Sequence, residues 1–215
     1  MIRQIAICAL FAAFGCTAAP RGPLPDPAQD IDKATAKGKQ KAVFAGGCFW
    51  CTEAVFEAVA GVEKVVSGYS GGDLASAQYE LVGSGRTNHA EAIEITFDPT
   101  KISYGQLLKI FFSVAHDPTQ LNYQGPDHGR QYRSAVFYGD AEQQKVVTGY
   151  VAQLEQSKLF NGKIVTELSP LKAFFPAEDY HQDFVKLHPT HPYVVVNSTP
   201  KVSKLKKEFP ALLKK

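Results

Sequence analysis

The sequence has little cysteine, almost no charge imbalance and only one long apolar stretch. Four cysteines in 215 residues are too few for a disulfide-rich miniprotein. The 23 Lys and Arg residues against 21 Asp and Glu residues leave a net charge of +2, so the charge does not indicate a nucleic-acid partner. Hydrophobic residues make up 45% of the chain, which excludes intrinsic disorder and is enough for a core. These values predict one soluble globular domain.

The long apolar stretch lies at the N-terminus, in residues 5–14, and is too short to cross a hydrocarbon layer of about 30 Å. Arg3 precedes it, and small residues and prolines follow it. This arrangement is typical of an export signal, which we place within residues 1–19. The protein is therefore expected in the periplasm or cell envelope, and the body of the chain is not expected to span a membrane.

Cys16 follows Gly15 at the end of this signal and resembles the lipid-attachment cysteine of bacterial lipoproteins. Ala13 and Phe14 depart from the residues that are usual there, so signal cleavage near Ala18 is the alternative. The sequence thus predicts either a lipid anchor on Cys16 or an exported protein without one.

Residues 20–40 contain four prolines within eight positions and then a polar segment rich in Lys, Ala and Gln. We predict that this segment is an extended tether that buries no apolar surface. The folded domain is expected over residues 41–200, followed by a basic helix or tail over residues 201–215.

Hydrophobic periodicity divides the domain into alternating strands and helices. Strands are predicted at residues 42–45, 62–69, 89–98, 133–138 and 163–168, and helices at residues 48–60, 104–115 and 140–159. Ser103 and Asp140 are the predicted N-caps of the second and third helices. The order β-α-β-β-α-β predicts an α+β fold with a ferredoxin-like split βαβ core, in which the helices lie mainly on one face. Beyond Pro170 an irregular, aromatic-rich segment is expected to wrap the core.

Cys48 and Cys51 are the only cysteines of the predicted domain, and they follow Gly46 and Gly47 where a strand leads into a helix. The N–H groups and the dipole at a helix start favour an anion. Cys48 is therefore expected to be the more thiolate-like of the pair, with an exposed sulfur. Cys51 lies one turn later, within reach of an oxidised Cys48. Because the thiolate is the nucleophilic form of cysteine, the pair predicts redox or nucleophilic chemistry.

Other uses of a C-x-x-C pair fit less well. A c-type haem site needs His after the second cysteine, where Thr52 stands, and a zinc site needs two further ligands that no His spacing supplies. A disulfide over so short a loop removes little entropy from the unfolded chain, although a binding module with an inert structural disulfide stays open. A thioredoxin-like oxidoreductase also stays open, because that fold places C-x-x-C at a helix start.

The chain resembles the A-type peptide methionine sulfoxide reductase family in a series of motifs between about residues 41 and 191. Each motif alone is weakly specific, but the ordered set is highly specific. The motifs are Gly47-Cys48-Phe49-Trp50, Gly68-Tyr69-Ser70-Gly71-Gly72, His89-Ala90-Glu91-Ala92, Phe97-Asp98-Pro99, His116-Asp117-Pro118, Asp127-His128-Gly129-Arg130-Gln131-Tyr132-Arg133-Ser134 and Ala177-Glu178-Asp179-Tyr180-His181-Gln182.

This resemblance implies roles for eight residues. Cys48 would attack the sulfoxide sulfur and become a sulfenic acid, and Cys51 would then close a disulfide with it. Glu91 would protonate the sulfoxide oxygen, which requires a carboxyl that burial keeps protonated. Phe49 and Trp50 would form an apolar cradle for the sulfoxide methyl group. Three further residues would hydrogen-bond around the sulfoxide oxygen and the attacking sulfur: Tyr79, Asp127 and Tyr132.

Each of these residues also has an ordinary structural interpretation. Glu91 could face solvent from its strand, and the alternation of the strand does not decide the matter. Phe49 and Trp50 could be core residues, Tyr79 and Tyr132 could serve packing alone, and Asp127 could form a turn after Gly125-Pro126.

The resemblance implies reduction of S-epimer methionine sulfoxide, free or in proteins, and thereby repair of oxidised proteins. It implies a thioredoxin-like reductant and no metal, haem, flavin or nicotinamide; no glycine-rich phosphate loop follows a strand. Many family members carry recycling cysteines in a C-terminal tail, whereas no cysteine follows Cys51 here, so Cys51 is the resolving candidate. The protein is expected to be a monomer, and the alternative function is a general envelope thiol–disulfide oxidoreductase.

Overall fold

The structure is a computed structural model that describes residues 20–32 and 38–215. The predicted export signal over residues 1–19, with Cys8 and Cys16, lies outside the described residues. Residues 33–37 of the predicted tether also lie outside them. Within the described ranges, no helix is both long and apolar enough to cross a membrane.

A six-stranded sheet forms the centre of the fold, with the strand order β7-β6-β1-β3-β2-β8. Strand β1 pairs antiparallel with β3 and β6, β2 pairs antiparallel with β3 and β8, and β7 runs parallel to β6. A separate two-stranded hairpin is formed by β4 and β5. The strand bounds are β1 Gln40–Gly46, β2 Val62–Ser70, β3 Ala90–Phe97, β4 Tyr123–Gln124, β5 Asp127–His128, β6 Ser134–Tyr138, β7 Glu167–Pro170 and β8 Phe174–Pro176.

The predicted split βαβ arrangement is confirmed. One helix joins β1 to β2, which lie on either side of β3, and a second connection joins β3 to β6, which lie on either side of β1. The helix bounds are α1 Phe49–Glu57, α2 Tyr79–Gly83, α3 Tyr104–Ile110, α4 Ala141–Ser157, α5 Phe184–Leu187 and α6 Thr199–Glu208.

The two predicted helix caps are confirmed in their hydrogen bonds. The Ser103 side chain accepts from the backbone N–H of Gln106. The Gln106 side chain accepts from the backbone N–H of Ser103, which completes a capping box. Asp140 accepts from the backbone N–H of Gln143 at the start of α4. The predicted second helix differs at its end, because residues Phe111–Ala115 continue from α3 as a π-helical turn.

The two faces of the sheet carry side chains of different size. Phe44 of β1 lies on the helical face, where its ring contacts those of Phe56 and Phe111 at centroid distances of 5.8 and 4.9 Å. Its neighbours Val43 and Ala45 point to the other face. That face is covered by the segment that carries Leu171 and Phe174 rather than by a helix. The residues that line it are mainly small: Val43, Ala45, Ala90, Ala92, Ala135 and Phe137. The prediction that the helices lie mainly on one face is therefore confirmed.

The prediction that the Pro-rich segment buries no apolar surface is wrong. Residues 20–32 contain no helix or strand, but Leu24 is only 3% exposed and belongs to the main core. The Tyr150 hydroxyl donates to the carbonyl of Pro25 at 2.9 Å, and the N–H of Gly105 donates to Asp30 Oδ1 at 2.9 Å. The segment thus lies against α3 and α4, because one leucine and a few backbone acceptors suffice to hold an extended chain there.

Leu24→Ala is expected to lower the free energy of unfolding by about 3 kcal/mol, because a leucine side chain is removed from a packed core and leaves a cavity. The measurement is urea denaturation of the full chain. Leu74→Ala is the matched control, since Leu74 is 73% exposed and its truncation should cost little. Equal losses in the two variants would contradict the packing of residues 20–32 on the domain.

The C-terminal segment is more regular than predicted. Residues 192–208 form one helical run, with a π-helical stretch at Val194–Ser198 leading into α6. The run packs against α1 and buries Val194, Ser198 and Leu205, which recur at helical spacing. The prediction of an irregular wrap up to residue 200 is therefore wrong for residues 192–200.

Candidate active site

The cysteine pair lies where β1 passes into α1. Gly47 adopts a positive φ of 86°, and a side chain there would lie 2.5 Å from Cβ of Gln124. Gln124 is itself fixed by hydrogen bonds in both directions to the backbone of Asp117, at 3.0 and 2.7 Å. A glycine is therefore required for the chain to turn against Gln124 and to place Cys48 immediately before the first turn of α1.

Both thiols are free and buried. Cys48 is 8% exposed and Cys51 is 1% exposed, so the prediction that the glycines expose the Cys48 sulfur is wrong. A cleft beside the two sulfurs is lined by both cysteines and by residues of the β4–β5 hairpin and the C-terminal helical run: Gln124, Gly125, Pro126, Asp127, Tyr193, Asn197 and Lys201.

The prediction that the start of α1 makes Cys48 the more thiolate-like sulfur finds no support in the contacts of the reduced pair. The backbone N–H groups at the start of α1 bond to acceptors other than the Cys48 sulfur. The N–H of Phe49 donates to Glu91, and those of Cys51 and Thr52 donate to the Cys48 carbonyl. Burial raises the pKa of Cys48, and its hydrogen bond to Cys51 adds to the shift. The same hydrogen bond, assisted by nearby cationic and hydroxyl groups, lowers the pKa of Cys51 to about 6.

Glu91 is a buried carboxyl beside the nucleophile. It lies on β3, is 2% exposed, and accepts the N–H of Phe49 on Oε2 at 3.0 Å. Burial raises its pKa to about 8, against the lowering effect of the Phe49 hydrogen bond. The interpretation in which Glu91 faces solvent is wrong, and the carboxyl is protonated at neutral pH.

Tyr79, Asp127 and Tyr132 come to this site from three separate elements. Tyr79 begins α2, Asp127 lies on β5, and Tyr132 ends a 3₁₀ turn before β6. Burial, followed by the charge of Glu91, raises the pKa of both tyrosines, and the charges of Cys48 and Asp127 contribute further. The structure thus brings the three residues within electrostatic range of Cys48 and Glu91, and both tyrosines remain hydroxyl donors at neutral pH.

The two aromatic residues after Cys48 differ in exposure. Phe49 is 1% exposed and packs against Tyr69 and His181, with centroid distances of 5.9 and 5.0 Å. Trp50 is half-buried and stacks on Phe184 at 3.7 Å, with the ring planes 6° apart. Its indole N–H donates to Nδ1 of His181 at 3.1 Å. Trp50 is therefore held in one orientation with part of its surface available to a ligand.

Sequence reasoning missed Tyr193, which connects the two cysteines to Asp127. Its hydroxyl donates to Oδ2 of Asp127 and lies 4.0 Å from Cys51 Sγ. Burial raises the pKa of Tyr193, so its hydroxyl keeps its proton. The helical spacing of Val194, Ser198 and Leu205 is the signal that could have placed Tyr193 in an ordered element rather than in an irregular segment.

A second buried carboxyl, Glu53, lies on α1 and is 2% exposed. Burial and then the charge of Glu57 raise its pKa to about 8, and it accepts a hydrogen bond from the backbone of Asp183. It resembles Glu91 in burial and protonation but is directed at the segment before α5. Among the described residues, no group of three or more His, Cys, Asp or Glu side chains could hold a metal ion.

Comparison with known proteins finds similar sequences over most of the chain. A family model described as "Peptide methionine sulfoxide reductase" matches residues 40–212. A peptide methionine sulfoxide reductase named MsrA 2 from Synechocystis sp. is 56% identical over 193 residues, which cover 89% of this chain and 90% of the relative. Another, from Mesorhizobium japonicum, is 55% identical over 182 residues, covering 85% of this chain and 93% of the relative.

Two solved structures share the fold. Methionine sulfoxide reductase A of Corynebacterium diphtheriae has 30% sequence identity and a TM-score of 0.62, and the match covers 83% of this chain and 90% of that one. Mxr1 from Saccharomyces cerevisiae in its reduced form has 30% identity and a TM-score of 0.65, over 71% of this chain and 87% of that one. Sequence and fold therefore point to the same family.

Proposed function

Since this chain belongs to the peptide methionine sulfoxide reductase family and reduces methionine sulfoxide, we propose that Cys48, Glu91 and Cys51 carry out the reaction. The observation that supports this most directly is the hydrogen bond of 3.0 Å between Glu91 and the N–H of Phe49. It fixes a buried, protonated carboxyl beside the residue that follows Cys48. A proton donor and a thiol are the two groups that sulfoxide reduction requires.

In the first step, Cys48 Sγ attacks the sulfoxide sulfur while Glu91 gives its proton to the sulfoxide oxygen. A sulfur–sulfur bond forms and the sulfur–oxygen bond of the substrate breaks; the released oxygen then attacks Cys48 Sγ as hydroxide and breaks the sulfur–sulfur bond, and the thiol proton of Cys48 restores the acid form of Glu91. The products are methionine, whose sulfur has been reduced, and a sulfenic acid on Cys48, whose sulfur has been oxidised by two electrons. Tyr79 and Tyr132 are hydroxyl donors within electrostatic range and stabilise the developing charge on the oxygen.

In the second step, Cys51 Sγ attacks the sulfenic sulfur of Cys48. A disulfide forms, the sulfur–oxygen bond breaks, and the oxygen leaves as water after taking up a proton. A thioredoxin-like dithiol then reduces the disulfide and returns both cysteines to the thiol state. No cysteine follows Cys51 in the sequence that could relay the electrons.

Trp50 and Phe49 support a preference for one sulfoxide epimer. A flat indole held by Phe184 and His181 offers a fixed apolar surface to the methyl group, while Glu91 fixes the side on which the oxygen must lie. When the methyl group and the oxygen are both fixed in position, only one configuration at sulfur directs the sulfur atom toward Cys48 Sγ. The geometry thus supports a preference for one epimer, and we propose from the family resemblance that it is the S epimer, free or within proteins.

The test is turnover of the separated S and R sulfoxides of a blocked methionine, with dithiothreitol as the donor. Reduction of the S epimer alone, lost in Cys48→Ser, is the expected result. Reduction of a model protein disulfide with no reduction of either sulfoxide would overturn the proposal in favour of a general thiol–disulfide oxidoreductase. Equal reduction of both epimers would contradict the role of Trp50 as a shape filter.

We also propose that the protein is exported as a monomer to the periplasm or cell envelope and is lipid-anchored through Cys16. The N-terminal charge and apolar stretch and the position of Cys16 support export. Expression of the full chain in a bacterium should give an envelope-associated, shortened product that Cys16→Ser releases from the membrane. A full-length product in the cytoplasmic fraction would contradict export, and a dimeric mass in light scattering would contradict the monomer.

A further inference from the structure

The environment of Cys51 is formed by the C-terminal helical run, far from it in sequence. Ser198 is fully buried, and its Oγ lies 3.0 Å from Cys51 Sγ. The side chains of the two residues that flank Ser198 bond instead to carbonyls of their own helical run. Asn197 Nδ2 donates to the carbonyl of Tyr193 at 3.1 Å, and Thr199 Oγ1 donates to that of Val194 at 3.2 Å.

This difference is unusual for a serine within a helix. A helical serine or threonine ordinarily bonds back to a carbonyl of its own helix, as Thr199 does, or faces water. Ser198 ends a π-helical stretch, and such stretches change the direction in which a side chain leaves the helix. The result is a hydroxyl directed at a buried sulfur, where a thiolate is the stronger acceptor.

Lys201 places a positive charge near the same sulfur. Its Nζ donates to the carbonyl of Ala115 at 2.7 Å, so the ammonium group is fixed rather than free in solvent. Lys201 lines the cleft that also contains Cys48 and Cys51. After the hydrogen bond from Cys48, its charge and then the Ser198 hydroxyl are what lower the pKa of Cys51, against burial.

We propose that Ser198 and Lys201 are positioning residues that hold Cys51 as a thiolate for the second, disulfide-forming step. This rests on the proposed function, in which Cys48 becomes the sulfenic acid. Cys51 thiolate attacks the Cys48 sulfur, a sulfur–sulfur bond forms, and the sulfur–oxygen bond breaks with loss of hydroxide, which takes up a proton to become water. Ser198 bonds to Cys51 and Lys201 to the carbonyl of Ala115, whereas the acid of the first step, Glu91, bonds to the N–H of Phe49, so the effect of Ser198 and Lys201 is expected in the second step.

The test separates the two steps in the full chain. Fully reduced protein is mixed with methionine sulfoxide without a reductant and quenched at intervals. Released methionine reports the first step. Dimedone adducts and the disulfide, both read on the peptide that contains Cys48, report the second.

The variants are Ser198→Ala and Lys201→Gln. Lys204→Gln is the control, since Lys204 lies on α6 but donates to the carbonyl of Ser113.

At about pH 6.5, both variants should form the disulfide at least about fivefold more slowly than the unaltered protein and accumulate sulfenic acid, because less of Cys51 is thiolate. Methionine release should change by less than about twofold, and the rates of disulfide formation should converge as the pH rises and Cys51 ionises in every variant. Lys201→Arg, which keeps the charge, should recover most of the rate. A purely structural role would slow both steps together at every pH.

Disulfide formation at the unaltered rate and with the same pH midpoint in both variants would overturn the proposal. Failure of the unaltered protein to release methionine would instead overturn the proposed function. A second measurement is independent of sulfoxide chemistry: the pH midpoint of Cys51 alkylation by iodoacetamide in the reduced chain. That midpoint should rise in Ser198→Ala and Lys201→Gln but not in Lys204→Gln, and an unchanged midpoint would overturn the proposal on its own.

Discussion

Cys51→Ser is expected to reduce one equivalent of methionine sulfoxide and then stop, whereas Cys48→Ser is expected to reduce none. The first variant keeps the sulfur that attacks the substrate and the Glu91 carboxyl fixed by the Phe49 N–H. It lacks the sulfur that converts the sulfenic acid to a disulfide. Turnover with thioredoxin should therefore fall by a factor of about 100 or more, since a thioredoxin-like donor acts on a disulfide.

The measurement is methionine released per mole of enzyme, first without a donor and then with thioredoxin and its reductase. Dithiothreitol is unsuitable as the donor here, because a small thiol can reach the sulfenic acid directly. Thioredoxin-driven turnover of Cys51→Ser at the unaltered rate would show that Cys51 is not the resolving cysteine. A full equivalent of methionine from Cys48→Ser would remove Cys48 from the reaction.

Glu91→Gln is expected to slow the sulfenic-acid-forming step by a factor of about 100 to 10,000, the usual contribution of a positioned general acid. Glutamine has the same shape and can still accept the Phe49 N–H, but it has no acidic proton. In the unaltered protein the acid is present below its pKa of about 8 and is lost as the pH rises through that value. The first-step rate should therefore fall above about pH 8, and this fall should vanish in Glu91→Gln.

Glu53→Gln is the matched control for this prediction. Glu53 is as buried as Glu91 and its pKa is also raised to about 8, but it bonds to the backbone of Asp183. Single-turnover methionine release, measured over a pH series, should be unchanged in rate and profile for Glu53→Gln. If Glu91→Gln also kept the unaltered rate, another group would have to supply the proton.

The parts of the fold that were predicted from sequence are those determined by local patterns. Alternation and helical periodicity predicted the order of strands and helices along the chain, and with it the split βαβ core. Ser103 and Asp140 are caps because their side chains bond within three residues. Leu24 was missed because one apolar residue among prolines has no period, and its burial depends on α3 and α4.

The missed parts of the site depend on distant residues. The alternation of apolar and polar residues in β3 did not predict the burial of Glu91. This central strand is covered on both faces, and most of its residues are buried. The thiolate preference was assigned to Cys48 from the helix start alone. Ser198 and Lys201, which contribute with Cys48 itself to the lower pKa of Cys51, lie in a distant segment whose contact with Cys51 no local pattern indicates.

The residues that serve the two steps of the catalytic cycle differ in how much of the chain must be synthesised before they can come together. The hydrogen bond that holds Glu91 near Cys48 joins residues 42 apart in sequence, whereas the contact between Cys51 and Ser198 joins residues 147 apart. A growing chain therefore contains the nucleophile and its acid long before the helix that serves Cys51 has left the ribosome. Loss of the chain beyond residue 197, by proteolysis or premature termination, would remove Ser198, Lys201 and α6, which packs against α1, whereas the segments that carry Cys48 and Glu91 would still be present in the chain.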